Sequence, residues 1–132
     1  MNADSRFKKI RKFTDLTTWQ EGHKLVVLVY KISDNFPVKE TYSLVDQMRR
    51  SASSVTSNIA EGFGRQTYKD KVHFYYLAQG SLVELKNQIL ISKDVGYLKD
   101  ASYKLLVEQS DMTHKLLQGL IKKSKLLINH KS

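Results

Sequence analysis

The four histidines are the side chains of this sequence best suited to acid–base or metal chemistry, and they lie at positions 23, 73, 114 and 130. The nearest match to a known site is Asp111-x-x-His114, which resembles the Glu-x-x-His motif that di-iron helical bundles carry on two helices. A single pair with the shorter acid does not complete such a site. An exposed helix surface is the simpler interpretation of this pair.

Other catalytic motifs are missing from the sequence. It has no cysteine, no His-Glu-x-x-His, no phosphate-binding glycine motif and no Gly-x-Ser-x-Gly. Glu61 and Glu84 lie among apolar neighbours and are candidate general bases, but a polar group that ends or bridges helices explains each equally well. We therefore predict no enzyme, no metal and no cofactor. The alternative, a metal–carboxylate enzyme, predicts bound iron or manganese after purification.

The net charge points to a polyanionic partner. Lysine and arginine together number 22 against 13 acidic residues, which gives a formal charge of +9 and favours binding to RNA, DNA or an anionic membrane. Basic tails commonly contact nucleic acid. The first cluster is an N-terminal arm that contains Arg6, Lys8, Lys9, Arg11 and Lys12. The other end of the chain carries Lys122, Lys123, Lys125 and Lys131. The alternative is that this arm only keeps the protein soluble.

A second basic cluster is predicted at one end of a two-helix hairpin. It combines residues of the second helix, the following loop and the start of the third helix: Arg49, Arg50, Arg65, Lys69 and Lys71. Several cations beside a helix N-terminus favour phosphate binding. The alternative is a solvated surface with weak salt bridges to acidic neighbours.

The elements that position these residues are predicted to be long helices in one domain. The chain has 132 residues, one proline and six glycines, which is too few turn-forming residues for a sandwich or barrel. We predict an all-α, antiparallel up-down-up-down four-helix bundle over residues 13–126, preceded by the basic arm 1–12 and followed by a basic tail 127–132. The absence of cysteine fits a reducing cytoplasm, and no apolar run is long enough to span a membrane.

Apolar residues at spacings of three and four define the first two helices. Helix one is predicted to end near Asn35, since Pro37 cannot continue it. Helix two is predicted from about Glu40, with closure by Gly62 or Gly64 in the left-handed conformation. The predicted core positions are Leu16, Trp19, His23, Val26 and Tyr30 in helix one, where Leu25, Val29 and Ile32 widen the apolar face, and Val45, Met48, Ala52, Val55 and Ile59 in helix two.

Helix three is predicted to begin at the cap Thr67 and to stop at Gly96. Its additional aromatic face, which includes Phe74 and Tyr76, indicates either a wide core contact or a subunit interface. Helix four is predicted from the cap Asp100 and is expected to fray into the tail. The predicted core positions are Val72, Tyr75, Ala78, Leu82, Leu85 and Ile89, then Tyr103, Leu106, Thr113, Leu117 and Leu120, with Leu105, Met112 and Leu116 beside them.

Several strings in the sequence resemble a known bacterial family. They are Phe13-x-x-Leu16-x-x-Trp19-Gln20, Gln47-Met48-Arg49-Arg50-Ser51-Ala52, Ser57-Asn58-Ile59-Ala60-Glu61-Gly62, Gly80-Ser81-x-x-Glu84 and Val95-Gly96-Tyr97-Leu98. These strings are similar to those of the proteins encoded by intervening sequences of 23S ribosomal RNA genes. The resemblance runs from about residue 13 to residue 120, so the arm and the tail lie outside it.

The resemblance implies a four-helix subunit that assembles into a ring-like homopentamer with a positive surface suited to nucleic acid. It does not imply an enzyme. Related pentameric proteins are accessory factors that bind RNA and the reverse transcriptase of diversity-generating retroelements. We therefore expect a cytoplasmic, homo-oligomeric RNA- or DNA-binding accessory protein. The alternative is a protein–protein adapter, for example a partner of a reverse transcriptase, whose positive charge is incidental.

Within the shared strings, Asn58, Glu61 and Gly62 have two interpretations. The first makes them a polar binding motif. The second, which we favour, makes the two polar side chains fix the turn between helices two and three, with the glycine as its flexible position.

Overall fold

The chain forms four long helices. The computed structural model describes residues 9–131, with the side chains of residues 9–128. The helices are α1 (Thr17–Ser33), α2 (Leu44–Phe63), α3 (Tyr68–Asp94) and α4 (Asp100–Lys131), and 3-10 turns occupy Phe13–Asp15 and Val38–Glu40. The predicted all-α class and four-helix bundle are confirmed. Within residues 9–131, no helix combines the length and apolar character needed to cross a bilayer.

Each helix packs against the next one, and α4 returns to pack against α1. Where two neighbouring helices touch, residues early in one helix contact residues late in the other. Between α3 and α4, for example, Lys125 donates to the hydroxyl of Tyr76 at 3.2 Å, while Lys86 lies 3.0 Å from Asp111. The other neighbouring helices also run in opposite directions, as their contacts show. The starts of α1 and α3 therefore meet the ends of α2 and α4.

The cores of α2 and α3 agree with the sequence pattern. Every predicted core position of these two helices is buried. Apolar side chains at spacings of three and four lie on one face of a helix, and that face packs on its neighbours. These residues are Val45, Met48, Ala52, Val55 and Ile59 of α2 and Val72, Tyr75, Ala78, Leu82, Leu85 and Ile89 of α3.

In α1 the core face is partly as predicted, and Leu16, Trp19 and Val26 lie partly buried against the core. His23 and Tyr30 are exposed, whereas Leu25 and Val29 are fully buried. Gly22, which lies nearer the start of the helix, is also buried. A Cβ added at Gly22 would lie 3.1 Å from Cγ2 of Thr56. The backbone of α1 thus approaches α2 closely at a glycine. A pattern of apolar residues does not predict such a contact.

In α4 the core residues are partly as predicted. Leu106, Thr113 and Leu117 are buried, but Leu105 and Met112 are exposed on the outer side of the helix. Since residues seven apart share a face of a helix, these two side chains point away from the core together. The helix also continues to Lys131 instead of fraying from residue 127.

The helix-end signals Thr67 and Gly96 are confirmed, whereas both ends of α2 differ from the prediction. The hydroxyl of Thr67 accepts a hydrogen bond from the backbone N–H of Asp70 at 3.1 Å, and Gly96 follows α3 with a φ of 87°. Among the described residues Gly96 is the only one with a positive φ, so neither Gly62 nor Gly64 closes α2 in the left-handed conformation. The start of α2 falls at Leu44, after a 3-10 turn that includes Glu40.

Candidate nucleic-acid interface

Most of the unbalanced positive charge of the bundle lies at one end. We call this the cationic end, and it comprises residues 9–16, 61–71 and 120–128, which meet around a common groove. Its acidic residues are Asp15, Glu61 and Asp70. Its nine lysines and arginines are Lys9, Arg11, Lys12, Arg65, Lys69, Lys71, Lys122, Lys123 and Lys125. A polyanion therefore meets a concentrated positive potential at this end.

The opposite end is closer to neutral and its arginines are paired. It comprises residues 31–50 and 93–104, with seven basic and five acidic residues. The basic ones are Lys31, Lys39, Arg49, Arg50, Lys93, Lys99 and Lys104, and the acidic ones are Asp34, Glu40, Asp46, Asp94 and Asp100.

The structure separates the second basic cluster that the sequence predicted. Arg49 lies 14 residues before Phe63, which is about 21 Å along the axis of α2, so Arg49 and Arg50 are at the opposite end from Arg65, Lys69 and Lys71. The grouping of all five was wrong because the hairpin is long.

Arg49 holds α1 and α2 together. Its Nε donates to the hydroxyl of Ser33 at 3.0 Å, and Nη2 donates to a carboxylate oxygen of Asp34 at 2.9 Å and to the carbonyl of Tyr30 at 3.3 Å. These bonds satisfy groups at the C-terminal turn of α1, where backbone carbonyls lack helical partners. Arg50 forms an exposed pair with Asp46 at 3.0 Å.

The described part of the arm lies at the cationic end. Arg6 and Lys8 fall outside the described residues, whereas the side chains of Lys9, Arg11 and Lys12 are exposed. The backbone N–H groups of Arg11 and Lys12 donate to Oδ2 of Asp15 at 3.0 and 3.1 Å. The backbone is thus fixed while both basic side chains face solvent.

The loop between α2 and α3 and the first turn of α3 contribute three further cations. The guanidinium of Arg65 lies 4.4 Å from the ring centre of Phe74 and 3.7 Å from a carboxylate oxygen of Glu61. Lys71 donates to the carbonyl of Phe63 at 2.5 Å, and burial lowers the pKa of Lys71 from its usual value. Lys69 is exposed.

A groove of about 290 Å³, the end groove, opens at the centre of the cationic end. Tyr75 lines it and is 2% exposed. Burial, with a smaller contribution from Tyr68, raises the pKa of Tyr75 to about 12. The remaining lining residues are Ile10, Leu16, Phe63, Tyr68, Lys71, Leu120, Lys123, Ser124 and Leu127. The sequence pattern identified Tyr75 only as a core residue, since no spacing signals that a groove reaches it.

Gly62 lets α2 approach α3 closely and Asn58 bonds to Ser54 within α2, which corrects their predicted role in the turn. Nδ2 of Asn58 donates to the carbonyl of Ser54 at 2.9 Å, and the hydroxyl of Ser54 lies 2.8 Å from that of Ser81 in α3. A Cβ at Gly62 would lie 2.7 Å from Cε1 of Tyr75. Glu61 is exposed on α2. Asn58 and Gly62 thus serve structural roles.

Asp111 and His114 belong to a cluster that the sequence did not reveal. Lys86 of α3 places its Nζ 2.7 Å from Nδ1 of His114 and 3.0 Å from Oδ1 of Asp111. His114 is half-buried, and its pKa is lowered chiefly by burial and also by the charge of Lys86. Lys86, the third member of the cluster, precedes Asp111 by 25 residues in the sequence. Within the part of the chain that the structure describes, no three His, Asp or Glu side chains are grouped to hold a metal ion.

Large apolar side chains remain exposed on α3 and α4. We call them the outer apolar faces: Tyr76, Leu77, Val83, Leu90 and Ile91 on α3, and Leu105, Met112 and Leu126 on α4. Each face contains a glycine within the helix, Gly80 or Gly119, at which an added Cβ would meet nothing within 4 Å. This open space shows that packing inside the subunit does not require either glycine.

Comparison with known proteins identifies the family. The model of the 23S rRNA-intervening sequence protein family matches residues 14–119. A solved structure from Bacteroides thetaiotaomicron, a protein with unknown function from the S23 ribosomal protein family, has a TM-score of 0.72 and 21% identity, covering 80% of this chain and 99% of that chain. At this identity the likeness supports the fold alone. No curated protein shows significant similarity. The family model spans most of the sequence, and the chain belongs to the 23S rRNA-intervening sequence protein family.

Proposed function

We propose that this protein is a non-enzymatic, homo-oligomeric nucleic-acid-binding protein, with RNA as the first ligand to test, and that its cationic end contacts the phosphates. The observation that carries the proposal is the convergence of three separate basic segments on one end of the bundle. The family membership supports the same direction, because the family is named for a ribosomal RNA gene.

The lysines of the cationic end are available to an external anion. Lys69, Lys122 and Lys123 are exposed, and none of them forms an ion pair with a described residue. A lysine that neutralises a phosphate releases a condensed counterion, so the binding constant falls as salt rises. Paired surface cations, such as Arg50 with Asp46, already have a neutralising partner.

The outer apolar faces support the assembly part of the proposal. Apolar residues surround α3 on more sides than the core covers, and a helix that is apolar all round is normally buried. A glycine inside a helix costs about 1 kcal/mol relative to alanine, yet Gly80 and Gly119 lie where a side chain would meet nothing. Close approach of a helix from a second copy of this chain would use both the glycines and the apolar side chains.

The second candidate function is a protein–protein adapter, such as a partner of a reverse transcriptase. The same outer apolar faces favour it, since a different protein would bury them equally well. The two functions differ in their response to salt. Binding through apolar faces survives salt that screens phosphate contacts.

The proposed function is tested by reversing charge at the cationic end. The triple variant Lys69→Glu, Lys122→Glu and Lys123→Glu is compared with Lys31→Glu, Lys39→Glu and Lys99→Glu, which makes the same charge change at exposed lysines of the opposite end. Fluorescence anisotropy measures the Kd for a labelled RNA between about 50 and 200 mM salt.

We expect the cationic-end variant to bind more weakly and to lose about two to three units of the slope of log K against log salt. The opposite-end variant should keep most of its slope, because its lysines lie away from the contact. Equal losses in the two variants, or wild-type binding that does not respond to salt, would contradict the assignment.

A further inference from the structure

The end groove combines apolar walls with charged edges. Its walls come from the arm, the end of α2, the start of α3 and the end of α4. The volume of about 290 Å³ lies just below the range of roughly 300–1,000 Å³ that is usual for drug-sized ligands. The groove is thus large enough to hold one ring-sized group.

Tyr75 leaves an unused hydrogen-bonding group in this groove. Its side chain is almost completely buried, but no described residue forms a hydrogen bond with its hydroxyl. Among the described residues, Oε1 of Gln88 is the only buried side-chain oxygen or nitrogen without a partner, so the Tyr75 hydroxyl is open to the groove. Since the raised pKa of about 12 keeps the hydroxyl protonated at neutral pH, it remains a neutral donor for a ligand.

The side chains around Tyr75 complete a binding site with three kinds of contact. Phe63 and Tyr68 provide aromatic surface, which stacks on flat rings. Lys71 and Lys123 line the same groove, and an ammonium group has three donors, so Lys71 retains donors beyond its bond to the Phe63 carbonyl. These contacts match the three parts of a nucleotide. The aromatic surface suits the face of the base, the neutral donor suits its edge, and the cations suit the phosphate.

We infer that the end groove binds one unpaired base of the nucleic acid held by the cationic end, with the Tyr75 hydroxyl donating to the base edge and Lys71 and Lys123 contacting its phosphates. This inference rests on the proposed function and adds the class of ligand. The base must be unpaired, because a base in a duplex hides its faces by stacking and its pairing edge by hydrogen bonding.

Other ligands fit the groove less well. A purely apolar ligand would leave the Tyr75 hydroxyl unpaired and would make no use of the lysines. A free phosphate would use the lysines but would leave the apolar and aromatic walls in water. A nucleotide with its base exposed uses all three kinds of contact.

The variant Tyr75→Phe tests the inference, because it removes the hydroxyl and keeps the ring that packs in the core. Its matched control is Tyr42→Phe, which removes a hydroxyl from an exposed tyrosine of the opposite end. Binding to single-stranded RNA and to duplex RNA of equal length is measured at one salt concentration. We expect Tyr75→Phe to weaken single-strand binding about three- to tenfold and to leave duplex binding unchanged.

A stacking readout keeps the test independent of affinity. A single-stranded RNA with 2-aminopurine in place of one adenine loses fluorescence when that base stacks on an aromatic ring. We expect quenching with the wild type and with Tyr42→Phe. With Tyr68→Leu, whose helical content is checked by circular dichroism, we expect less quenching and binding weaker by about tenfold.

The outcomes separate this inference from the proposed function. Salt-sensitive binding that treats single strands and duplexes alike, without quenching and without an effect of Tyr75→Phe, would overturn the base site and leave the phosphate contact standing. Absence of salt-sensitive binding to either RNA would overturn both.

Discussion

The ammonium group of Lys86 in α3 lies 2.7 Å from Nδ1 of His114 in α4. An ammonium group can only donate, so Nδ1 accepts the hydrogen bond and the imidazole is neutral. The carboxylate of Asp111 lies on the same ammonium at 3.0 Å. This contact links the two helices through an imidazole whose pKa is lowered by burial and by the charge of Lys86.

Acidification should weaken the contact between α3 and α4. In the folded protein the pKa of His114 lies below its ordinary value near 6.5, so the unfolded chain binds more protons as the pH falls through that value. Stability that is present above this pH is therefore lost below it. We expect the Tm of the wild type to fall more between about pH 7.5 and 5.5 than that of His114→Gln. The control His73→Gln changes an exposed histidine and should behave as the wild type does. A fall of equal size in all three would exclude His114 as the cause.

The two adjacent arginines of α2 should differ in their effect on stability. Arg49 is 27% exposed and holds three groups of α1, while Arg50 is 80% exposed in a single surface pair. We expect Arg49→Ala to lower the free energy of unfolding by about 1–3 kcal/mol, and Arg50→Ala by less than about 0.5 kcal/mol. Urea unfolding followed by circular dichroism measures both. Similar values for the two variants would show that the contacts of Arg49 with α1 contribute little.

The close approach of α2 and α3 should not tolerate a methyl group at residue 62. The variant Gly62→Ala places a Cβ 2.7 Å from the ring of Tyr75, and the overpacking should cost about 1–3 kcal/mol. Gly64→Ala is the control, because its φ is −76° and its nearest contact would be 3.6 Å. We expect the control to change stability by less than about 0.5 kcal/mol. If thermal unfolding gives the two variants equal stability, the helices can separate at little cost.

Assembly should depend on the outer apolar faces. We expect Val83→Glu and Met112→Glu each to produce smaller particles in light scattering while circular dichroism still reports the full helical content. An acidic group buried between two subunits lacks a partner and is strongly unfavourable. The control is Val27→Glu, at an exposed position of α1. Particles of unchanged mass in both variants, or a monomeric wild type, would exclude these faces as the interface.

The sequence predicted the fold well wherever large apolar residues define the core. The spacing of Val45, Met48 and Val55 in α2 gave the correct buried face, because these side chains fill the centre of the bundle. In α1 part of the contact is made by Gly22, which allows a close approach without contributing apolar area. A pattern based on hydrophobicity therefore placed Tyr30 inside when it is exposed.

The candidate site was less predictable, because its members are distant in sequence. The basic arm and the start of α3 were identified from charge alone. That the end of α4 lies beside them followed only from the antiparallel packing. Charge counts also cannot separate Arg49, which bonds to three groups of α1, from the exposed Lys69. Whether the hydroxyl of Tyr75 has a hydrogen-bond partner depends on residues that are distant in sequence. The spacing of Tyr75 in α3 predicts only that it is buried.

The contrast between the cationic end and the nearly neutral opposite end makes the bundle an electric dipole directed along its length. A polyanion exerts a torque on such a dipole before contact, so productive orientation begins during diffusion and weakens as salt shortens the range of the field. In a closed ring, rotational symmetry places the same end of every subunit at equivalent positions. In the proposed oligomer, such a ring would gather the positive ends into one annulus, where a strand released by one copy is already at high local concentration for the next.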